Sequence, residues 1–358
     1  MTKIRVLVIF GGRSFEHRVS LDSAEWVLSW LNPDKYDVSC LGILRSGECV
    51  AGPQALTALV QEAGGYTGPD DIGFLNQSVN VCKNIVAHVE AFDAQPDVIF
   101  SLIHGAHGED GRLQWMFDLL WIPYVGSGVS GSAICMDKII TKNILENNEI
   151  RQLPYFGTTL FEWRTKPQEV RNQADFLWYP IFIKPANGWS SIGISKVKDA
   201  ESFTDAMERA LIYDSRILIE KALESPRELE VAALGNDDVF ISYPGENIVS
   251  ERHEFYTYEA KYIDENSNFV QIPAQNITDE IVSQIQKDAK KAFYAVNAKW
   301  IARIDFFVDR ITGFVYLNEI NTLPEFTRSS VYPKLLESKE RTFEDIIDRL
   351  IQLAFENK

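Results

Sequence analysis

The stretch Ala302-Arg-Ile-Asp-Phe-Phe-Val-Asp-Arg-Ile-Thr-Gly-Phe-Val-Tyr-Leu-Asn-Glu-Ile-Asn321 joins two apolar, β-rich segments through Asp309 to Gly313. It reads as a β-hairpin, because the glycine can supply the positive φ that a tight reversal needs. Strand side chains alternate faces, so Arg303 and Asp305 point the same way, as do Glu319 and Asn321. Carboxylates on an otherwise apolar hairpin need a partner, and two carboxylates plus an amide suit a hard cation. Mg²⁺ bound through few protein oxygens completes its shell with water and nucleotide phosphates, so the hairpin points to an ATP site. The competing reading is an edge hairpin with one solvated face. Against it stands Asn321-Thr-Leu-Pro-Glu-Phe-Thr-Arg-Ser-Ser-Val-Tyr-Pro333, a polar loop continuing directly from the metal-type residues.

The chain has 358 residues, enough for two or three compact units, and its 46% hydrophobic content can fill their cores. A net charge of -16 argues against nucleic acid or an anionic membrane as partner, since phosphate backbones are held by surplus Lys and Arg. Small-molecule substrates fit better. Cys40, Cys49, Cys82 and Cys135 form no CxxC pair and predict reduced, mostly buried thiols. The apolar start from Ile4 to Phe10 is too short for a signal segment, and no 18-residue apolar run exists, which predicts a cytoplasmic protein.

From the N-terminus, Ile4 to Phe10 followed by Gly11-Gly12 predicts a buried strand and a glycine turn. Ser20 is expected to cap a helix whose apolar face carries Ala24, Val27, Leu28 and Leu31. In parallel sheets ligands sit beyond the carboxyl ends of strands, which places Arg13, Ser14, Glu16 and His17 near one; an ordinary solvated loop is the equal alternative. Val98 to Ile103 predicts a second buried strand, and His104-Gly-Ala-His-Gly-Glu-Asp-Gly111 a second strand-end loop rich in glycine and titratable groups. A helix from Leu113 to Leu120 and a strand from Ile122 to Val125 close this unit.

Lys138 and Lys142 fall on one face of a predicted helix, a spacing that usually marks a solvated pair. Tyr179 to Lys196 is less ordinary: Lys184 ends an apolar strand, and Gly188, Ser190, Ser191 and Gly193 follow in a small-polar loop with the composition of a phosphate cradle. The Walker pattern is absent. Arg216 to Leu223 predicts a buried strand ending in Glu220-Lys221, and Arg227 to Leu234 an antiparallel one. Residues Glu246 to Phe269 are polar, aromatic and loop-like for a length that suggests a lid, with Tyr256, Tyr258, Lys261 and Tyr262 inside. Thr278 opens a long amphipathic helix, and a last helix spans Phe343 to Phe355.

Together the segments GGRSFEHRVS, HGAHGEDG, GSGVSGSAICMDK, IKPANGWSSIG, EKALESPRELEVA, PGE with EFYTYEAKY, RIDFF and NEINTLPEFT resemble, in order and over nearly the whole chain, the D-alanine–D-alanine ligases of the ATP-grasp superfamily. The resemblance implies an α/β ATP-grasp fold of three α/β domains. These are an N-terminal parallel-sheet domain of preATP-grasp, Rossmann-like type over residues 1–130 binding the first amino acid, a central subdomain over 131–219, and a C-terminal subdomain over 220–358 with the lid and the Mg²⁺ site. It implies ATP-dependent peptide bond formation between two D-alanines through an acylphosphate, for peptidoglycan precursors, by a homodimer using two Mg²⁺, with Mn²⁺ as an alternative.

Carried over position by position, the resemblance implies that Glu16 holds the ammonium of the first amino acid, with His104 near it. Lys138 and Lys184 would bind nucleotide phosphates, Ser191 would cradle them, Glu220, Lys221 and Leu223 would meet the adenine, and Glu228 the ribose. Lys261 would reach the transferred phosphate; Tyr262 and Ser190 would link to Glu16; Arg303 would stabilise the oxyanion; Asp305, Glu319 and Asn321 would hold the metal; Ser330 would accept the second substrate's carboxylate. The chain departs from the family at Trp189 and Glu325, where glycines are the pattern. The second glycine donates a backbone N–H to the oxyanion, so Glu325 sits beside the reacting carbonyl. An active paralogue with another amino or hydroxy acid in one site is therefore the alternative, followed by an inactive ATP-binding regulator.

Overall fold

The computed structural model describes residues 2–63, 81–90, 95–188, 192–249, 268–337 and 341–356. Three sheets organise the chain. The first, ordered β3-β2-β1-β4-β5, comprises β1 (Ile4–Gly11), β2 (Tyr36–Ile43), β3 (Cys49–Ala51), β4 (Val98–Ser101) and β5 (Tyr124–Val125). Its β2-β1-β4-β5 part is parallel, and β3 adds antiparallel at the edge. The second, ordered β6-β9-β7-β8, comprises β6 (Tyr155–Thr159), β7 (Ile181–Pro185), β8 (Ser195–Val197) and β9 (Arg216–Lys221). The third, ordered β13-β12-β10-β14-β15 with β11 also on β10, comprises β10 (Arg227–Gly235), β11 (Phe240–Ile241), β12 (Gly245–Val249), β13 (Asn268–Gln271), β14 (Trp300–Val308) and β15 (Val315–Asn321).

The predicted hairpin is β14-β15, and Gly313 takes φ +69° where its N–H closes the turn onto the Asp309 carbonyl. The strand from Arg227 is antiparallel as expected, in a nine-residue register with β14. Thr278 caps the helix Asp279–Ala295 by accepting the Ile281 N–H. Two expectations change. Ser20 lies inside the helix His17–Trp30 rather than at its cap: its hydroxyl donates to the Leu102 carbonyl and accepts the Gly11 N–H, tying the ends of β1 and β4 together. The polar run from Glu246 begins as strand, because Gly245–Val249 finds ladder partners in both β10 and β13. The expected lid, with Lys261 and Tyr262, otherwise lies outside the described residues, as do Trp189, Ser190 and Ser191.

One apolar core runs from the first sheet to the end of the chain. Phe326, fully buried, meets Phe100 edge-on and Phe343 at ring distances of 6.1 and 6.0 Å, and Trp26 packs on Phe343. The helices Val331–Glu337 and Phe343–Phe355 thus pack on the N-terminal unit. Burying a phenylalanine contributes roughly 1.5–3 kcal/mol, so Phe326 pins the polar loop after β15 against β4. The second and third sheets have their own cores, around Phe203 and Phe293. Cys40, Cys49 and Cys135 are free and of intermediate exposure as residues, and burial raises the pKa of each thiol. No helix among the described residues is long and apolar enough to cross a membrane.

Candidate active site

The two glycine-rich loops of the first sheet are held face to face by serines. Ser14 Oγ donates to the His104 carbonyl at 2.8 Å and accepts the Glu16 N–H at 3.2 Å. Gly12 permits this close approach, since a Cβ there would lie 2.8 Å from Ile103 Cγ2. Glu16 is buried at the start of its helix.

His104 is 1% exposed and both its ring nitrogens go to protein. Nδ1 lies 3.2 Å from the Leu323 carbonyl, which can only accept, so Nδ1 carries the proton. Nε2 then accepts from Ser23 Oγ at 3.2 Å, and Ser23 Oγ in turn accepts the Phe326 N–H at 3.2 Å. Burial pushes the imidazole pKa down, which suits this neutral tautomer. His104 is therefore a clamp joining the first sheet to the loop after β15.

Glu325 is suspended between the two clamped residues Leu323 and Phe326. It lies outside the left-handed region, so it occupies the family's glycine position without backbone strain. Arg328 turns to the Trp26 ring, 5.8 Å from its centroid. The Glu325 carboxylate acts electrostatically on His104 and Glu109. Glu109 accepts the Gly105 N–H at 2.7 Å; burial raises its pKa well above the carboxylate range, Glu16 and Glu325 add to this, and Arg303 opposes it. The glycine-rich loops of the first sheet and the loop after the hairpin of the third are thus held together. Ser330 is buried beside Thr327, whose N–H it accepts at 3.0 Å.

On the third sheet the register aligns Glu230, Asp305 and Glu319 across β10, β14 and β15. Directly opposed residues share a face, so three carboxylates form one row. Arg303 crosses it, with two bonds to Asp305 at 2.8 and 2.7 Å and approaches of 3.4 Å to Glu230 and 3.9 Å to Glu319. Asn247 donates to Glu230 at 2.6 Å. A break in register between Asp305 and Phe306 sets Asn318 apart and keeps Glu319 beside Asp305. Asn321 lies opposite Arg303 and its side-chain oxygen accepts the Leu323 N–H. Asp305, Glu319 and Asn321 are hard oxygen donors on one face and fit a divalent cation. Among the described residues no three His, Cys, Asp or Glu side chains are grouped tightly enough to hold an ion alone. The cation would therefore share oxygens with phosphate.

The second sheet presents Phe182, Lys184, Glu220 and Tyr155 on one face, as their cross-strand pairing requires. Lys184 and Lys142 both pair with Glu220, Lys142 at 3.0 Å. Burial alone would raise the Glu220 pKa, but the two ammoniums outweigh it and hold it at about 2. The Lys138 ammonium donates to the Gly188 carbonyl, and Asp137 caps the helix Lys138–Asn147 while pairing with Arg216. Lys221 donates to the Trp178 carbonyl at 2.6 Å, so its ammonium is turned away from Glu220. Leu223, after β9, and Glu228, on β10, are half-buried. The sequence did not single out Glu230, Asn247 or Ser23, and gave Lys142 a solvated reading. Only the register of β10 on β14 could have marked Glu230.

The chain matches the family described as D-ala D-ala ligase C-terminus over residues 144–352 and that described as D-ala D-ala ligase N-terminus over residues 5–127. It is 39% identical over 358 residues to D-alanine--D-alanine ligase B of Clostridium tetani, covering 100% of this chain and 95% of the relative. It is also 39% identical to the D-alanine--D-alanine ligase of Deinococcus radiodurans, covering 99% and 100%. Among solved structures it is similar to the VanG D-Ala:D-Ser ligase of Enterococcus faecalis, with TM-score 0.82, 29% identity and coverage of 99% and 100%. The D-alanine-D-alanine ligase of Coxiella burnetii gives TM-score 0.79 at 29% identity, covering 99% and 94%. Matched from end to end by relatives at this identity, the chain belongs to the D-alanine–D-alanine ligase family.

Proposed function

We propose that this protein joins two D-alanines at the expense of ATP, supplying the dipeptide for peptidoglycan precursors in the cytoplasm. The observation that carries the reading is the clamp of His104 on the Leu323 carbonyl and of Ser23 on the Phe326 N–H, which seats the loop after the hairpin against the glycine-rich loops of the first sheet. The first carboxylate attacks the γ-phosphorus of ATP, releasing ADP and forming an acylphosphate. The second amine, having lost a proton, then attacks the acyl carbon, and the collapsing tetrahedral intermediate expels phosphate. A carboxylate is a poor electrophile, and phosphorylation gives it a leaving group.

Glu16 orients the first ammonium, and Arg303, kept protonated by Asp305 and Glu230 despite burial, meets the oxyanion together with the Glu325 N–H. Lys138 and Lys184 bind the nucleotide phosphates, Glu220, Lys221 and Leu223 the adenine, and Glu228 the ribose; Ser330 takes the second carboxylate. Mg²⁺ held by Asp305, Glu319 and Asn321 would neutralise charge on the phosphates. Ser190, Ser191, Lys261 and Tyr262 keep the roles the resemblance implies. The domain division at 1–130, 131–219 and 220–358 is part of the same proposal, with β9 extending the central sheet to Lys221. A homodimer is supported by the exposed Trp115, Leu119 and Trp121 at one end of the first sheet.

The test is D-alanine-dependent release of phosphate with the dipeptide identified by mass. ATP turnover without D-alanine dependence would overturn the reading. A second reading, ligation to a different D-amino acid or hydroxy acid, is favoured by the charge that Glu325 adds beside His104 and Glu109. A panel of D-alanine, D-serine and D-lactate as second substrate decides between them.

A further inference from the structure

The nucleotide-facing side of the second sheet contains a charge that the chemistry above does not use. Lys142 lies one turn beyond Lys138 on the same helix, with its side chain 4% exposed. Its ammonium stands 3.0 Å from Glu220 and 5.1 Å from the centre of the Tyr155 ring, and its carbonyl accepts from Gln152 Nε2. Glu220, with its side chain 2% exposed, has Lys184 on its other side, and Lys184 is the more open lysine at 13%. Two ammoniums therefore share one carboxylate, the inner one sealed in protein and the outer one partly open to solvent.

We propose that Lys142 is a positioning residue for ATP: it neutralises Glu220 from the buried side, so that Lys184 presents its positive charge to the nucleotide phosphates. This rests on the reading that Lys184 binds the phosphates of ATP. A buried carboxylate cannot stand without a counterion. With Lys142 absent, Glu220 would claim Lys184 entirely and the pair would become neutral. The surface would then lose one positive charge without losing any group that touches the nucleotide. The triad's net charge of +1 is thus set by a residue screened from the ligand. The depressed pKa of Glu220 agrees, since both lysines contribute to it.

The experiment compares dissociation constants for ATP and for adenosine in the whole protein, because their ratio isolates what the phosphates contribute. Lys142→Met should weaken ATP on the order of 10-fold, the scale of one unit charge a few ångströms away, while adenosine binding holds. Lys142→Arg should restore the ratio. The double variant Lys142→Met/Glu220→Gln removes both charges, leaves no unpaired buried carboxylate to prevent folding, and should also return the ratio towards that of the unaltered chain. Equal weakening of ATP and adenosine, an unchanged ATP affinity in Lys142→Met, or a ratio that stays low in the double variant would each overturn the inference. Failure of the unaltered chain to bind ATP would overturn the functional reading along with it.

Discussion

The second and third sheets carry opposite charge arrangements. On the second, two lysines flank one carboxylate, Glu220; on the third, one arginine crosses three carboxylates, Glu230, Asp305 and Glu319. The first arrangement suits an anion and the second a cation, and a nucleotide carrying Mg²⁺ offers both. The cost of gathering like charges is met differently. Glu220 has a lysine on each side, whereas in the acidic row one arginine stands among three carboxylates.

The sharpest break of this contrast is Arg303→Met. Three buried or half-buried carboxylates would lose the cation that crosses them, and removing one partner of a buried ion pair costs roughly 3–5 kcal/mol. Chemical denaturation should show a loss of this size without metal and a partial recovery with Mg²⁺. Equal loss in both conditions would mean that the row does not take a cation.

Acid should expose a different weakness, in the first sheet. His17 is buried with Nδ1 on the Gly12 carbonyl, and burial lowers its pKa from 6.5 to about 4. Because the folded value is depressed, the unfolded chain binds the proton first as pH falls. The stabilisation is therefore complete above about pH 6.5 and lost towards pH 4, about 3 kcal/mol at most. His17→Asn, which keeps a donor for Gly12, should flatten the pH dependence of unfolding between those limits; an unaltered slope would reject the assignment.

Within the acidic row, Glu319→Ala leaves Asp305 on Arg303 but strips one metal oxygen. Turnover should fall by roughly 10²-fold or more, partly recoverable at high Mg²⁺. Unchanged turnover would remove Glu319 from the site. The smallest effect is expected from Glu325→Gly: relief of its field on Glu109 and His104 should raise D-alanine turnover by about threefold. No change with D-alanine, D-serine or D-lactate would show that Glu325 takes no part in specificity.

The hairpin from Ala302 to Asn321, the strand from Arg227 and the helix capped by Thr278 were legible in the sequence because each is specified locally, by alternation, a turn glycine or a capping side chain. Ser20 misled for the same reason: a serine before an apolar period suggests a cap, whereas here its hydroxyl bridges the end of β1 to Leu102, 82 residues further along the chain from the serine.

The sequence by itself determined the order of the motifs, the polar face of the hairpin and the family. Only the tertiary structure decided that Glu230 joins Asp305 and Glu319, that Lys142 is sealed beside Glu220, and that His104 clamps the loop carrying Glu325. Those facts depend on strand register and on contacts between residues 75 to 219 positions apart. Local pattern records which face a side chain takes; which charge it meets there is set by packing between distant segments.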